Sequence, residues 1–116
     1  MKHYHKRITK IVDELINYLF SMGATDTSVN IKDIENHYKI SFESNYEKGM
    51  DEKIDKLIKY LNCPRQEEME EYYWELTGDC DVNTELSLVG MMVDEVEVSF
   101  VEGKIQIVLH RYKSRT

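Results

Sequence analysis

The sequence contains few of the residues that define several common classes of protein. Only two of its 116 residues are cysteine, Cys63 and Cys80, which is too few for a disulfide scaffold, so we expect free thiols in a reducing cytoplasm. Its apolar runs fall far short of the ~20 residues that a membrane-spanning helix needs. The basic start is followed by an amphipathic stretch containing Asp13 and Glu14, which lacks the apolar core of a signal peptide. The sequence therefore predicts a cytoplasmic protein without a membrane segment.

Basic residues are also scarce relative to acidic ones. The chain has 15 Lys and Arg against 22 Asp and Glu, a formal net charge of −7. A nucleic-acid partner requires clustered Lys and Arg to neutralise its phosphates, so this composition disfavours nucleic-acid binding. Hydrophobic residues at 41% and charged residues at 32% are typical of a globular chain. The length suits a single domain spanning 1–116.

Apolar residues at helical spacing predict a helix near the start of the chain. They recur every three or four positions and so share one helical face. These residues are Ile8, Ile11, Val12, Leu15, Ile16, Leu19 and Met22. Gly23 follows at the position where a left-handed residue ends a helix. A second stripe predicts a helix between 47 and 61, and further helices are predicted over 64–76 and 83–93.

Two stretches of alternating polar and apolar residues predict β-hairpins. The first covers 28–43, with a turn near 35–37. The second covers 95–110, with the two-residue turn Glu102-Gly103, whose Gly accepts positive φ. This turn fixes the register of the second hairpin. It places Phe100 opposite Ile105, Val98 opposite Ile107, Val96 opposite Leu109, Glu95 opposite His110 and Ser99 opposite Gln106.

These elements predict an α+β fold. Each hairpin has one apolar and one polar face, so the helices should stack on one side of the sheet. The expected architecture is a two-layer sandwich, a four-stranded sheet from two β-hairpins with helices on one face, in the order αββαααββ. We expect the first helix and the 83–93 helix to cover the face bearing Val29, Ile40, Val98 and Ile107.

No catalytic or metal-binding motif is complete. Asp79, Asp81 and Asn83 resemble the opening of a calcium loop, but Thr84 stands where that loop requires Gly and Gly90 stands where it requires Glu. Neither cysteine has a histidine and an acidic residue arranged around it as in a nucleophile motif. The sequence therefore predicts no catalytic residue, no metal and no cofactor.

An acidic and aromatic segment is the predicted contact surface for a protein partner. Consecutive aromatic residues on a helix cannot all face the core, so part of the 72–74 cluster should be exposed. Exposed aromatic area beside negative charge favours a protein contact. This surface comprises Glu67, Glu68, Glu71, Tyr73 and Trp74. The alternative is that the rings pack in the core and the glutamates form a solvated face.

The order of elements resembles the ATPase domain shared by histidine kinases and anti-sigma-factor kinases, the GHKL or Bergerat fold. The helix through 86–89 and the strand at 92–98 are similar to the family's closing helix and strand, and 103–107 is similar to its last strand. On the first helix, Asp13 and Asn17 are four residues apart. In the family this helix carries an acidic general base and, four residues on, an asparagine that holds Mg²⁺.

The nucleotide-binding loops of this family are replaced. The segment 43–47 reads Glu-Ser-Asn-Tyr-Glu where the family has an Asp-x-Gly-x-Gly loop, and 81–85 replaces a glycine-rich phosphate loop. We therefore expect a non-catalytic ATPase-like regulatory module that binds a protein partner or itself. Two alternatives stay open. One is an ATP-binding kinase of the anti-sigma type with altered loops, using Asp13 and Asn17, and the other is a small structural homodimer.

Overall fold

The computed structural model describes residues 4–62, 86 and 89–113. Its elements are α1 (Tyr4–Ser21), β1 (Thr27–Ile34), β2 (His37–Asn45), α2 (Asp51–Leu61), β3 (Glu95–Val101) and β4 (Lys104–Tyr112). Residues 86 and 89–91 are also helical and precede β3. The strands form one antiparallel sheet in the spatial order β1-β2-β4-β3. The predicted α+β fold is confirmed, with the order αββααββ in the described part of the chain, and the predicted 64–76 helix lies outside it.

The predicted first helix is confirmed as α1. Its apolar stripe faces the core, and Ile11, Leu15 and Leu19 are fully buried. Gly23 follows the helix with a φ of 84°, and its N–H donates to the carbonyl of Phe20 at 2.9 Å. A glycine in this left-handed conformation closes the last turn without the steric cost of a Cβ atom.

The helix α2 packs through the predicted stripe, in which Ile54, Leu57 and Leu61 are buried. The end of α2 lies against the helical segment that precedes β3. A Cβ atom at Gly90 would lie 2.1 Å from the carbonyl oxygen of Tyr60, so no side chain fits there without a shift of the backbone. Gly90 therefore sets how closely these two helical segments approach.

The second hairpin has the register that its alternation predicts. Its turn is Glu102-Gly103, with φ values of 52° and 79°, as in a type I′ turn. The predicted pairs are all confirmed: Phe100 with Ile105, Val98 with Ile107, Val96 with Leu109, Glu95 with His110 and Ser99 with Gln106.

The first hairpin has a shorter turn than predicted. Only Glu35 and Asn36 form the turn, and His37, expected in it, is the first residue of β2. Glu35 adopts a φ of 30°, which lets two residues reverse the chain. Glutamate seldom takes positive φ, so the sequence gives little sign of so tight a turn.

The core lies between the helices and one face of the sheet, as predicted. On the central strands β2 and β4, Ile40 and Ile107 are fully buried. Burial is incomplete on the edge strands, where Val98 is partly buried and Val29 is 36% exposed. The expectation that the helices cover all four positions is therefore corrected, because the helical layer is centred on β2 and β4.

Candidate functional site

Rows of apolar side chains cross the helix-facing side of the sheet and continue onto β1. Residues directly opposite each other on paired strands point to the same face. One row is Val98, Ile107, Phe42 and Val29, and the next is Val96, Leu109, Ile40 and Ile31. The members on β4 and β2 are at most 2% exposed, but exposure rises to 36% at Val29 and 47% at Ile31. Each row therefore extends beyond the part of the sheet that the helices cover, and its last member, on β1, is exposed.

The strand β1 also has an open lateral edge. It is the outermost strand of the sheet, and no strand among the described residues pairs with its far side. An open edge presents backbone N–H and C=O groups that can pair with another strand. Apolar side chains beside such an edge are typical of a protein-binding surface. We call Val29, Ile31 and the adjoining backbone the β1 edge.

Side-chain contacts hold both ends of β1 in place. At its start, Asn45 Oδ1 accepts hydrogen bonds from the backbone N–H groups of Thr25 at 2.8 Å and Asp26 at 3.0 Å. Near its end, Lys113 Nζ lies 2.5 Å from Asp33 Oδ1. A partner would thus meet an ordered strand, which reduces the entropy lost on binding.

The opposite face of the sheet is polar and contains a groove of about 430 Å³. The short side chains of Ser28 on β1 and Ser41 on β2 line it. The groove is lined by Ser28, Asn30, Ser41, Glu43, Gln106 and Val108. Among the described residues, no group of three or more His, Cys, Asp or Glu side chains is placed to hold a metal ion.

An aromatic cluster on this polar face surrounds His37. Its ring centre lies 5.4 Å from that of His110 and 5.5 Å from that of Tyr112. The Tyr112 hydroxyl donates to Glu95 Oε2 at 3.0 Å, and this hydrogen bond, with the nearby Glu95 charge, raises the pKa of Tyr112. Both histidines are partly buried in this cluster.

Asp13 and Asn17, the nucleotide and Mg²⁺ residues of the kinase alternative, lie on the exposed side of α1. Asn17 Nδ2 donates to Asp13 Oδ1 at 3.5 Å. The buried stripe with Ile11 and Leu15 lies elsewhere on the same helix. The structure therefore brings the two predicted residues together, but on a solvent-facing surface.

The segment 43–47, which replaces the adenine-reading loop of the ATPase family, makes polar contacts within the chain. Ser44 is fully buried, and its Oγ lies 2.9 Å from Thr27 Oγ1. The Ser44 hydroxyl also donates to the carbonyl of Asn45 at 2.9 Å. Together with the amide of Asn45, these groups anchor the start of β1.

The other predicted sites lie outside the described residues. These are the contact surface of Glu67, Glu68, Glu71, Tyr73 and Trp74, and the 81–85 loop, so both stay predictions. The sequence does not predict the β1 edge, because alternation alone places Val29 on the apolar face that the helices are expected to cover. The missing signal is the strand order, which depends on pairing between β2 and β4, two strands far apart in the chain.

No protein-family model, curated protein or solved structure matches this chain. In the described part of the chain, no helix combines the length and apolar character needed to cross a membrane. The geometry of the sheet edge is therefore the main basis for a functional proposal.

Proposed function

We propose that this protein is a non-catalytic, ATPase-like regulatory module that acts by binding another protein chain through the β1 edge. The observation that carries this proposal is the exposure of Val29 and Ile31 at the ends of two otherwise buried apolar rows. A partner that covers them removes apolar surface from water, which contributes about 25 cal/mol per Å².

The open edge also suits a known mode of recognition. An extended segment of a partner adds to the sheet as a further strand, so that main-chain hydrogen bonds provide affinity. Side chains at alternate positions then provide specificity, and here the alternate positions Val29 and Ile31 are apolar. The net charge of −7 disfavours nucleic acid as the partner and agrees with a protein partner.

The regulatory part of the proposal rests on the resemblance of 86–98 and 103–107 to the end of the GHKL domain. The non-catalytic part rests on the polar groups that would serve a nucleotide. Ser44 and Asn45 are engaged in anchoring β1, and Asp13 with Asn17 faces solvent. We include a cytoplasmic location in this proposal, because the two cysteines suit a reducing compartment.

Site-specific photocrosslinking in cells tests the β1 edge. A photoreactive amino acid is placed at Val29, and a matched variant carries it at Lys56, an exposed position on α2. We expect irradiation to give a discrete crosslinked product from the Val29 variant and none from the Lys56 variant. The mass of the product shows whether the partner is another protein or a second copy of this chain.

Two results would count against this function. The first is the absence of any product at Val29 in a variant whose folding is intact by circular dichroism. The second is equal crosslinking at Val29 and Lys56, which would indicate random encounters. Adding Ile31→Lys to the Val29 variant supplies a further control, because a buried lysine at the interface should abolish the product.

A further inference from the structure

The backbone geometry of β1 shows which of its groups point away from the sheet. The N–H of Asn45 donates to the carbonyl of Asp26 at 3.3 Å, which makes Thr27 and Ser44 a non-hydrogen-bonded pair. Hydrogen-bonded and non-hydrogen-bonded pairs alternate along an antiparallel ladder. The outward backbone groups of β1 therefore belong to Thr27, Val29, Ile31 and Asp33.

The side chains of β1 complement a second β1 in one antiparallel register. In this register the two-fold axis passes between the two Asn30 residues. On the helix-facing side, Val29 lies opposite Ile31 of the second copy, and Thr27 lies opposite Asp33. Opposite apolar residues stabilise such pairs and like charges destabilise them. The register matches apolar residues with each other and brings no like charges together.

Neighbouring registers fit less well. A shift that places Ile31 opposite Ile31 puts Val29 opposite Asp33 of the second copy, which sets a carboxylate against an apolar side chain. A shift that places Val29 opposite Val29 puts Ile31 opposite Thr27. Only the register centred on Asn30 pairs all four apolar side chains with one another.

The other edge of the sheet is less suited to self-pairing. The strand β3 carries Glu95 and Glu97 and no basic residue, so two copies would bring carboxylates together. Its most exposed apolar residue, Phe100, already contacts Tyr46, with ring centres 6.4 Å apart. The strand β1 instead carries charges of both signs, on Lys32 and Asp33.

We infer that the protein partner of the β1 edge is a second copy of this chain, which pairs through β1 to form a continuous eight-stranded antiparallel sheet. This inference rests on the proposed function, since it names the partner of the same edge. An isologous contact of this kind closes on itself and gives a dimer. The helical layers of the two copies then flank a shared apolar strip formed by Val29 and Ile31 of each copy.

Light scattering coupled to size-exclusion chromatography tests the association. We expect the wild-type chain to elute with twice its monomer mass and Ile31→Lys to elute as a monomer. Ile34→Lys is the matched control, because Ile34 is a similarly exposed isoleucine on the other face of β1, opposite Asp26 of the second copy. It should remain dimeric. A monomeric wild-type chain, or loss of the dimer in both variants alike, would overturn the inference.

A disulfide test reports the register. In a chain with Cys63 and Cys80 replaced by serine, Asn30→Cys should form an intermolecular disulfide under mild oxidation. The reason is that opposite Cα atoms in a non-hydrogen-bonded pair are about 4.5 Å apart, within the range of roughly 4.4–6.8 Å that a disulfide spans. Ser28→Cys should not, because its counterpart lies several residues along the partner strand. Equal crosslinking of both variants would refute the register.

Different results would refute self-pairing through β1 and protein binding by the β1 edge. A monomeric chain that still crosslinks to another protein from Val29 would refute self-pairing and leave the protein-binding function standing. A chain that is dimeric through another surface, with no crosslink from Val29, would refute both.

Discussion

Ile31 and Ile40 lie directly opposite each other on β1 and β2, yet Ile40 is fully buried and Ile31 is 47% exposed. The two residues are identical, point to the same face and are separated by one strand spacing, about 4.8 Å. The difference arises because the helical layer ends between these two strands. Matched substitutions at the two positions therefore separate the contribution to folding from the contribution to binding.

Truncation to alanine should affect the free energy of unfolding very differently at these positions. Ile40→Ala removes buried methyl groups and leaves a cavity, so we expect a loss of about 2–5 kcal/mol. Ile31→Ala should cost less than about 1 kcal/mol in the monomer, because much of that side chain already contacts water. Urea unfolding monitored by circular dichroism, at a concentration where the chain is monomeric, measures both. Similar losses would show that the helices cover β1 after all.

Gly90→Ala tests the close approach of α2 to the helical segment before β3. Helix propensity alone favours alanine by about 1 kcal/mol. We nevertheless expect destabilisation of about 1–3 kcal/mol, because the added Cβ would lie 2.1 Å from the carbonyl oxygen of Tyr60 and force the segments apart. Thermal unfolding shows whether the substitution lowers or raises the melting temperature. An increase in melting temperature would mean that this packing is looser than the structure shows.

Glu102→Asn should stabilise the second hairpin. Glu102 has a φ of 52°, a conformation that asparagine adopts more readily than glutamate, and Asn-Gly is the preferred type I′ pair. We expect a gain of about 0.5–1 kcal/mol in the free energy of unfolding. Glu97→Asn, in the middle of β3, is the control and should give no gain, since asparagine is disfavoured in strands. A gain in the control alone would contradict the turn assignment.

The residue pairs of the second hairpin could be predicted because they depend only on one short, continuous stretch of the sequence. The turn Glu102-Gly103 and the alternation on each side fix which residues face each other. The same local pattern predicts that Val29 lies on the apolar face of β1, and its pairing with Phe42 confirms this. Its exposure could not be predicted, because it depends on which strands lie at the centre of the sheet. That order is set by pairs such as Phe42 with Ile107, which join distant parts of the chain.

The candidate site, too, could be predicted only in the features that depend on neighbouring residues. The apolar character of Val29 and Ile31 is visible in the sequence, but the open edge beside them is a property of the assembled sheet. Likewise, the spacing of Asp13 and Asn17 predicts that they are neighbours on a helix, whereas their solvent-facing position depends on how α1 packs. Residue chemistry could be read from the sequence, and accessibility could not.

The stability of the fold should fall at alkaline pH because of Tyr18. Burial raises the pKa of this residue above its ordinary value of 10.0, with a smaller contribution from Tyr60. Its hydroxyl donates to the carbonyl of Lys53 at 2.7 Å. The unfolded chain therefore loses this proton at a lower pH than the folded chain does. The stabilisation is present below pH 10 and is lost as the pH rises through the folded pKa.

Tyr18→Phe should therefore flatten the fall in the free energy of unfolding between about pH 9 and about pH 11. At neutral pH the variant should be less stable by about 0.5–1.5 kcal/mol, because the carbonyl of Lys53 loses its donor. Urea unfolding across this pH range measures both effects. Tyr46→Phe is a control at a tyrosine that is only partly buried, and it should keep the wild-type slope. An unchanged slope in Tyr18→Phe would contradict this assignment.

The last prediction is that the protein does not bind Mg·ATP. Close approach of triphosphate oxygens requires backbone N–H groups that glycines leave accessible. The 81–85 segment contains no glycine and has two acidic residues, Asp81 and Glu85, which would repel the phosphates. Ser44 is buried against Thr27, so its hydroxyl is engaged where the family would select adenine. Asp13 and Asn17 alone offer too few oxygen ligands for Mg²⁺. Isothermal titration should show no saturable heat for the wild-type chain or for Asn17→Ala. A micromolar dissociation constant that Asn17→Ala abolishes would restore the kinase alternative.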